Sequence, residues 1–327
     1  MKKILVTGGL GFIGSNLIRY ILEKYSDYKV INLDKVTYAA NFQNLRDIEN
    51  SLRYSFVKGD VCDSKIVDQV MKDVDCVIHM AAESHVDRSI GGPSGFIKTN
   101  ILGTFNLLEF ARKYKINPFV FCSTDETYGP IKKGAFKEKD VFNPSSPYSA
   151  SKASADLLCR SYYTTYKLPI LIVRPSNNYG PRQHCEKLIP RFIVNLLQGK
   201  KVGLFGNGLQ RREWIFVMDC VSGIDTVLHK GKPGEAYNLG GGRKNEKTNL
   251  WITKLILKEL KMPESFITFI KDRPGHDVRY ALDSSKIKKL GWRPKWGLEK
   301  GLRETVRWYK NNPDYWQPFV KDKFVEF

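Results

Sequence analysis

The sequence has few of the features that mark secreted, metal-binding or membrane proteins. Its six cysteines stand singly, without a C-x-x-C pair or a metal-ligand spacing (Cys62, Cys76, Cys122, Cys159, Cys185 and Cys220). Several of them lie inside apolar runs, so we expect buried, reduced thiols in a cytoplasmic protein. No apolar stretch is long enough to span a membrane, and no signal-peptide pattern follows the first residues. We therefore expect no disulfide scaffold, no metal site and no membrane partner.

Acidic residues are also scarce relative to basic ones. The chain has 53 Lys and Arg against 34 Asp and Glu, a net charge of +19. Such an excess suits either nucleic acid or small ligands that carry phosphates. The basic residues lie along the whole chain in short pairs such as Lys132-Lys133 and Lys288-Lys289, with no basic tail. This distribution favours a solvated lysine-rich surface, and a nucleic-acid partner is not expected.

The first half of the 327 residues alternates short apolar runs with helical patterns. In the first helical stretch Ile13, Leu17 and Ile21 share one apolar stripe. Strands that are apolar on both faces and separated by helices predict a parallel sheet covered on both sides, a doubly wound Rossmann-type α/β fold. The runs interpreted as strands are Ile4–Thr7, Val30–Leu33, Tyr54–Val57, Cys76–His79, Phe119–Cys122 and Ile170–Val173.

From about Asn177 the alternation becomes irregular. Helices are predicted near Leu188 to Leu197, Leu250 to Leu260 and, as the last one, Leu302 to Tyr309. We therefore predict a main domain over residues 1–176 and a smaller α/β lobe mainly over 177–327. Parts of 209–240 are expected to return to the main sheet.

A glycine-rich turn follows the first strand. The run Thr7-Gly-Gly-Leu-Gly-Phe-Ile-Gly places glycines at 8, 11 and 14, between a strand and a helix. That context predicts a dinucleotide site, in which bare backbone and a helix N-terminus approach a pyrophosphate. Asp34 ends the second strand, where a carboxylate binds the ribose 2′-hydroxyl and repels a 2′-phosphate. The pattern favours NAD over NADP, with residues 1–176 as the NAD-binding domain.

Two further motifs carry acid–base chemistry. Tyr148 and Lys152 lie four residues apart on a predicted helix and so share a face, where the ammonium group is expected to lower the phenol pKa. Ser123-Thr-Asp-Glu follows the strand Phe119–Cys122, at the strand end where ligands collect. Two adjacent acids, Asp125 and Glu126, could be a solvated turn or an acid and a base with separate tasks.

With these motifs the sequence resembles the extended short-chain dehydrogenase/reductase family, and within it the dTDP-glucose 4,6-dehydratases. The similarity runs over nearly the whole chain, and the Thr-Asp-Glu triplet is its most specific part. The segments that carry it are Thr7–Ser15, Ala81–Ser89, Ser123–Glu126, Tyr148-x-x-x-Lys152, Ser176–Pro181, Glu186–Pro190 and Asp272–Asp277.

The resemblance implies a reaction on a nucleotide-sugar that consumes no NAD overall. Tyr148, aided by Thr124 and Lys152, would take the C4 hydroxyl proton as hydride leaves C4. Glu126 would then remove the C5 proton, while Asp125 protonates the departing C6 hydroxyl. Hydride returning to C6 would leave a 4-keto-6-deoxy sugar.

The resemblance also implies two binding sets and a homodimer. The NAD site would comprise Gly8, Gly11, Phe12, Ile13, Gly14, Asp34, Lys35, Asp60, Val61, Ala81, Ala82, Ser84, Thr99, Tyr148, Lys152 and Asn178. The nucleotide-sugar site, mainly in the lobe 177–327, would comprise Ser84, Thr124, Asn177, Lys187, Leu188, Arg212, Asn249, Arg273 and His276. The dimer would form through helices around Gly103 to Arg112 and Ala153 to Tyr163.

Two departures from the family pattern concern the nucleotide base. Val202-Gly-Leu-Phe-Gly replaces the more usual Leu-Pro-Ile-Tyr-Gly, and extra residues occur around Gly242-Arg-Lys. The alternatives are a dehydratase for a UDP-sugar and a UDP-sugar 4-epimerase on the same fold. A non-enzymatic NAD sensor or RNA-binding protein would have no need for all four of Asp125, Glu126, Tyr148 and Lys152.

Overall fold

A computed structural model describes residues 2–272 and 277–321 of the chain. Seven of its strands form one parallel sheet, and the others form two small sheets. In chain order the strands are β1 Lys2–Thr7, β2 Tyr28–Asp34, β3 Tyr54–Lys58, β4 Cys76–His79, β5 Phe119–Cys122, β6 Ile170–Pro175, β7 Asn177–Tyr179, β8 Val202–Phe205, β9 Arg211–Phe216, β10 Ala236–Leu239, β11 Glu246–Thr248 and β12 Ile267–Ile270.

Helices connect these strands. In chain order they are α1 Phe12–Lys24, α2 Ser64–Met71, α3 Val86–Gly91, α4 Ser94–Phe96, α5 Gly103–Lys113, α6 Pro147–Tyr166, α7 Leu188–Leu197, α8 Val217–Lys230, α9 Asn249–Leu260, α10 Ser285–Lys289, α11 Leu298–Asn311 and α12 Pro313–Lys321. A π-helical turn, Ile97–Leu102, runs into α5. Short 3₁₀ turns occur at Phe42–Asn44, Arg46–Ile48, Asp125–Tyr128, Arg243–Asn245 and Glu264–Phe266. Within the described residues no helix combines the length and apolar character needed to cross a membrane.

The order of strands in the large sheet determines where a ligand-binding crevice opens. That order is β10-β6-β5-β4-β1-β2-β3, with every neighbouring pair parallel. From β1 the chain builds outward through β2 and β3, and then returns to the other side of β1 as β4. A crevice opens where the direction of winding reverses, at the carboxyl ends of β1 and β4, and ligands of open α/β sheets bind in such a crevice.

Alternate residues of the strands feed two separate cores. On one face Ile4 and Val6 meet α1 and α8, whose Leu17 and Ile224 are fully buried. On the other face Leu5 and its neighbours meet α2, α5 and α6. Since both faces of the sheet are covered, the doubly wound prediction is confirmed.

The later part of the chain forms the small sheets and a third core. The strand order is β11-β9-β7 in one sheet and β12-β8 in the other. Buried residues of α7, α9, α11 and α12 pack together around Phe192, Ile256 and Leu302. The strand Ala236–Leu239 instead joins the large sheet beside β6.

One prediction for this region is wrong. The last helix was expected near Leu302 to Tyr309, but α12 follows α11 after a break at Asn312. Pro313 occupies the first position of α12, where its missing N–H costs nothing. Tyr315 and Phe319 of α12 are buried in the third core, and that packing stabilises a helix with a weak sequence pattern.

Candidate active site

The turn between β1 and α1 presents backbone to the crevice. Gly8 has a φ of +73°, and a Cβ there would lie 2.7 Å from the Cα of Ala81. A Cβ on Gly14 would lie 2.3 Å from the carbonyl oxygen of Gly8. Gly11 is the N-cap residue of α1 and makes no side-chain cap hydrogen bond. The positive end of this 13-residue helix thus faces a surface without side chains, which fits a dinucleotide pyrophosphate.

Asp34 lies at the end of β2, where the sequence places it, and it is buried. Its Oδ2 accepts the Leu10 N–H and its Oδ1 accepts the Val36 N–H, each at 2.9 Å. Burial raises the pKa of this carboxyl, and the two hydrogen bonds act against that rise. Beside it, Lys35 Nζ lies 2.7 Å from Asp60 Oδ2. Asp34 therefore also holds the glycine turn in shape, a second task that the sequence pattern did not reveal.

One cavity of about 320 Å³ connects the turn to the chemistry-bearing motifs. Every residue predicted for the NAD site lines it, from Gly8 directly after β1 to Asn178 on β7. The same cavity is lined by Thr124, Asp125 and Glu126, so the two motifs and the dinucleotide turn share one space. A cofactor ring and a second ligand can therefore meet inside it.

The residues predicted for the nucleotide-sugar site divide into three groups. Ser84, Thr124, Asn177 and Lys187 line the cavity, and Lys187 Nζ donates to the Ser84 carbonyl oxygen at 2.8 Å. Leu188, Arg212 and Asn249 are not among the residues that line it. Arg273 and His276 lie outside the described residues.

Arg212 and Asn249 nevertheless lie near each other in the smaller lobe. Lys247 pairs with Arg212 across β11 and β9, and Asn249 donates its N–H to the Gln210 carbonyl at 3.0 Å. The Arg212 guanidinium lies 4.8 Å from the Tyr280 ring centroid, and its charge lowers the pKa of Asp125. Arg212 therefore lies close enough to Asp125 to influence its charge.

The helix that carries the Tyr-Lys pair begins at the cavity wall. Ser146 caps α6 by accepting the Ser149 N–H, and Pro147 occupies the first turn. Tyr148 and Lys152 are both buried, one turn apart. Lys152 Nζ donates to the Cys122 carbonyl oxygen at 2.7 Å, which ties α6 to the end of β5.

The prediction that the phenol pKa of Tyr148 is lowered is wrong. Burial raises the pKa of Tyr148 well above its ordinary value, and the charge of Glu126 raises it further, while a hydrogen bond with Thr124 lowers it. Burial also lowers the pKa of Lys152. Desolvation is therefore the largest influence on the pKa of each group.

The two acids lie in a 3₁₀ turn directly after β5. Thr124 is its N-cap residue, and its Oγ1 accepts the Glu126 N–H at 3.3 Å. The Thr124 hydroxyl also donates to Asp125 Oδ1 at 3.3 Å. The other oxygen of Asp125 is buried and makes no hydrogen bond within residues 2–272 and 277–321. A buried polar atom without a partner, lining a cavity, is placed to serve a ligand.

The surroundings of Asp125 favour its protonated form. Burial raises its pKa well above the ordinary range, and the charges of Glu126 and Glu213 raise it further. Arg212 and the Thr124 hydroxyl act in the opposite direction. A carboxyl group kept protonated by its surroundings can donate a proton near neutral pH, as a general acid must.

Sequence reasoning missed a polar cluster on the rim of the cavity. Glu186 is buried and accepts a hydrogen bond from the Tyr38 hydroxyl at 3.2 Å, and Arg88 Nε lies 3.4 Å from its Oε2. Burial raises the pKa of Glu186, and the charges of Lys187 and Arg88 lower it. The available signal was its position directly before Lys187.

The chain matches known proteins over nearly all of its length. A family model described as GDP-mannose 4,6 dehydratase matches residues 5–305. A dTDP-glucose 4,6-dehydratase from Haemophilus influenzae is 50% identical, with 95% of this chain and 99% of that protein covered. This chain belongs to the GDP-mannose 4,6 dehydratase family.

Solved structures support this membership in the dehydratase family. DesIV, a dTDP-glucose 4,6-dehydratase from Streptomyces venezuelae solved with NAD and TYD bound, is 46% identical with a TM-score of 0.94. The match covers 97% of this chain and 99% of that chain. A UDP-glucose 4-epimerase from Thermotoga maritima is 31% identical, with a TM-score of 0.88 over 95% of this chain and 99% of that one. The fold is thus common to both activities, while sequence identity is higher to the dehydratase.

Proposed function

We propose that the chain is an NAD-dependent dTDP-glucose 4,6-dehydratase, which converts dTDP-glucose to dTDP-4-keto-6-deoxyglucose. The observation that carries the proposal is the cavity that the glycine turn, the Tyr148–Lys152 pair and the two acids line together. The relatives named dTDP-glucose 4,6-dehydratase support the substrate. The glycine surface and Asp34 are the residues that would hold NAD.

Bound NAD⁺ supplies hydride acceptance from C4 and hydride return to C6. The residues of the chain control protons and orientation. Tyr148 accepts the C4 hydroxyl proton; its hydrogen bond with Thr124 favours the phenolate form, while burial and the charge of Glu126 oppose it. Lys152, held by Cys122 at 2.7 Å, has further N–H donors to offer a ligand.

Elimination follows from the acidity that a C4 ketone confers on the C5 proton. Glu126 removes that proton, and Asp125 protonates the C6 hydroxyl, which leaves as water. The raised pKa of Asp125 fits the acid role, since it favours the protonated form that a general acid needs. The neighbouring negative charge of Glu126 contributes to that rise, so Glu126 supports the acid role of Asp125.

Substrate binding is assigned to both sides of the cavity. Ser84, Thr124, Asn177 and Lys187 line the cavity and would contact the ligand from its wall. Leu188, Arg212 and Asn249, which do not line it, would lie toward the nucleotide. Arg212 suits a diphosphate because a guanidinium group donates to two phosphate oxygens at once. Arg273 and His276, outside the described residues, complete the proposed set.

The test is incubation with dTDP-, UDP-, CDP- and GDP-hexoses in deuterated water, followed by mass and NMR analysis. A dehydratase incorporates deuterium at C5 and removes the C6 oxygen, whereas a 4-epimerase does neither. Turnover of dTDP-glucose above the other three sugars supports the proposal. Epimerised, unlabelled sugar, or a preference for UDP-hexose, contradicts it in favour of the corresponding alternative.

We also propose the domain division, the dimer and the compartment. The division at residue 176 is supported by the separate small sheets that begin at Asn177. The homodimer is supported by the exposed apolar side chains of Leu102, Phe105 and Leu157 on or beside α5 and α6. Six unpaired cysteines are compatible with a cytoplasmic location.

A further inference from the structure

Arg174, near the end of β6, is completely buried although it carries a charge. Its side chain turns toward α6, where Nε and Nη2 donate to the two carboxylate oxygens of Asp156, each at 2.8 Å. This is a two-point contact in which the guanidinium plane fixes the direction of the carboxylate. Arg160 adds a weaker, outer contact to the same carboxylate, at 3.1 Å.

The remaining edge of the guanidinium faces the acid turn. Nη1 donates to the Tyr128 hydroxyl at 2.6 Å and to the Glu138 carbonyl oxygen at 3.0 Å. The Tyr128 hydroxyl donates in turn to Asn238 Oδ1 at 2.9 Å. Tyr128 is buried, and its ring stacks on Phe136 with centroids 4.9 Å apart. The phenol therefore has a fixed position at both its ring and its hydroxyl.

Arg174 thus bridges Asp156 and Tyr128, and these two residues lie on the segments that carry the Tyr-Lys pair and the two acids. Asp156 is one helical turn after Lys152 on α6, and Tyr128 is two residues after Glu126 in the 3₁₀ turn. A separate contact, from Lys152 Nζ to the Cys122 carbonyl oxygen, already ties α6 to the sheet. The bridge through Arg174 is thus the added link between the helix and the acids.

We infer that Arg174 is a positioning residue that sets Asp125 and Glu126 relative to Tyr148 and Lys152. The inference rests on the proposed function, because the two pairs serve successive steps of one turnover. A buried ion pair is a poor way to gain stability, since apolar residues of the same volume hold a core equally well. The planar guanidinium group instead fixes the orientation of its three partners, which are the Asp156 carboxylate, the Tyr128 hydroxyl and the Glu138 carbonyl oxygen.

This role has a consequence for the order of steps. Loss of the hydrogen bond between Arg174 and Tyr128 loosens the turn that carries Asp125 and Glu126. The hydrogen bond from Lys152 to Cys122 still holds Tyr148 and Lys152 in place. Oxidation at C4 should therefore continue while elimination slows. Misplacement of about 1 Å lowers a rate by roughly 100-fold, so we expect the elimination rate to fall by roughly 10- to 100-fold.

The test uses Tyr128→Phe and Arg174→Lys in the full-length protein with NAD bound and dTDP-glucose as substrate. Tyr128→Phe keeps the ring stack and the Arg174–Asp156 pair, so it leaves the core intact. Single-turnover measurements follow the near-ultraviolet absorbance of NADH and, separately, deuterium entering C5 from solvent. We expect NADH to accumulate in both variants, with C5 labelling slowed and substrate KM nearly unchanged.

A matched control is Tyr237→Phe on β10. Tyr237 is also buried, and its hydroxyl accepts the Lys232 N–H at 2.8 Å without joining the bridge. It should behave as wild type. Variants that match wild type, or that lose oxidation and elimination in parallel, overturn the positioning role alone. Wild-type protein that leaves dTDP-glucose unchanged overturns the proposed function and this inference together.

Discussion

Lys152 holds the start of α6 to the end of β5 through a 2.7 Å hydrogen bond from Nζ to the carbonyl oxygen of Cys122. The next residues after Cys122 lead into the acid turn, so one contact fixes the origin of both motifs. Tyr148, one turn earlier on α6, is thereby held at the cavity wall. The lysine contributes here by geometry, because burial and Glu126 raise the pKa of Tyr148 despite its presence.

The acids should be separable from the redox pair by substitution. Glu126→Gln removes the base for the C5 proton, and Asp125→Asn removes the acid for the C6 hydroxyl. We expect each change to lower the rate of water loss by roughly 10²- to 10⁴-fold, the usual contribution of general acid–base catalysis. Product formation is measured by NMR, and NAD binding by fluorescence titration.

These variants should bind NAD as tightly as wild type, because the glycine turn and Asp34 are unchanged. Tyr148→Phe is the complementary variant, in which NADH formation itself is lost. Normal turnover by either acid variant would show that the substituted residue has been given the wrong role.

The sequence predicted the sheet and the motifs better than it predicted how they interact. The six apolar runs and the glycine turn depend on local patterns, which is why their positions could be inferred. The rise in the pKa of Tyr148 and the buried contact between Arg174 and Asp156 depend on which distant residues meet. No spacing rule links Arg174 to Tyr128, since they are joined only through the fold.

The glycine turn can be tested through Gly14. A Cβ at this position would lie 2.3 Å from the carbonyl oxygen of Gly8, a backbone atom that cannot move without opening the turn. We expect Gly14→Ala to weaken NAD binding by at least roughly 10-fold and to lower stability by about 1–3 kcal/mol. Gly95→Ala is the control, because nothing lies within 4 Å of its added Cβ. Equal NAD affinity in the two variants would argue against the assigned pyrophosphate site.

The dimer prediction concerns apolar side chains that the isolated chain leaves in solvent. Leu157 on α6 is 53% exposed, and Leu102 and Phe105, in the segments that pack against α6, are 54% and 46% exposed. A lysine at position 157 would place a charge in the proposed interface, where an unpaired buried charge is strongly unfavourable. We expect Leu157→Lys to sediment as a monomer while wild type sediments as a dimer. Leu52→Lys, at a 96% exposed position away from α5 and α6, should leave the dimer intact. If Leu157→Lys and Leu52→Lys both sediment as dimers, the interface does not include Leu157.

Stability should depend on pH through His229 on α8. Its Nδ1 lies 3.1 Å from Asp225 Oδ1, and its Nε2 lies 2.8 Å from the Tyr28 hydroxyl. The hydrogen bond with Asp225 raises the pKa of His229, and burial only partly offsets it. Because the folded pKa lies above the unfolded one, the stabilisation is complete below about pH 6.5 and is lost as pH rises through the folded value.

The variant His229→Gln isolates this contribution. We expect its Tm to lie roughly 2 °C below that of wild type at acidic pH, with the difference shrinking as pH rises through the folded pKa of His229. Thermal unfolding across neutral pH measures the difference, and His85→Gln is a comparison because burial lowers the pKa of that imidazole to about 3. His85 should therefore show no such loss of stabilisation with rising pH. A gap between wild type and His229→Gln that stays constant from acidic to alkaline pH would mean that the imidazole acts by packing alone, and that its ion pair with Asp225 adds nothing to the folded state.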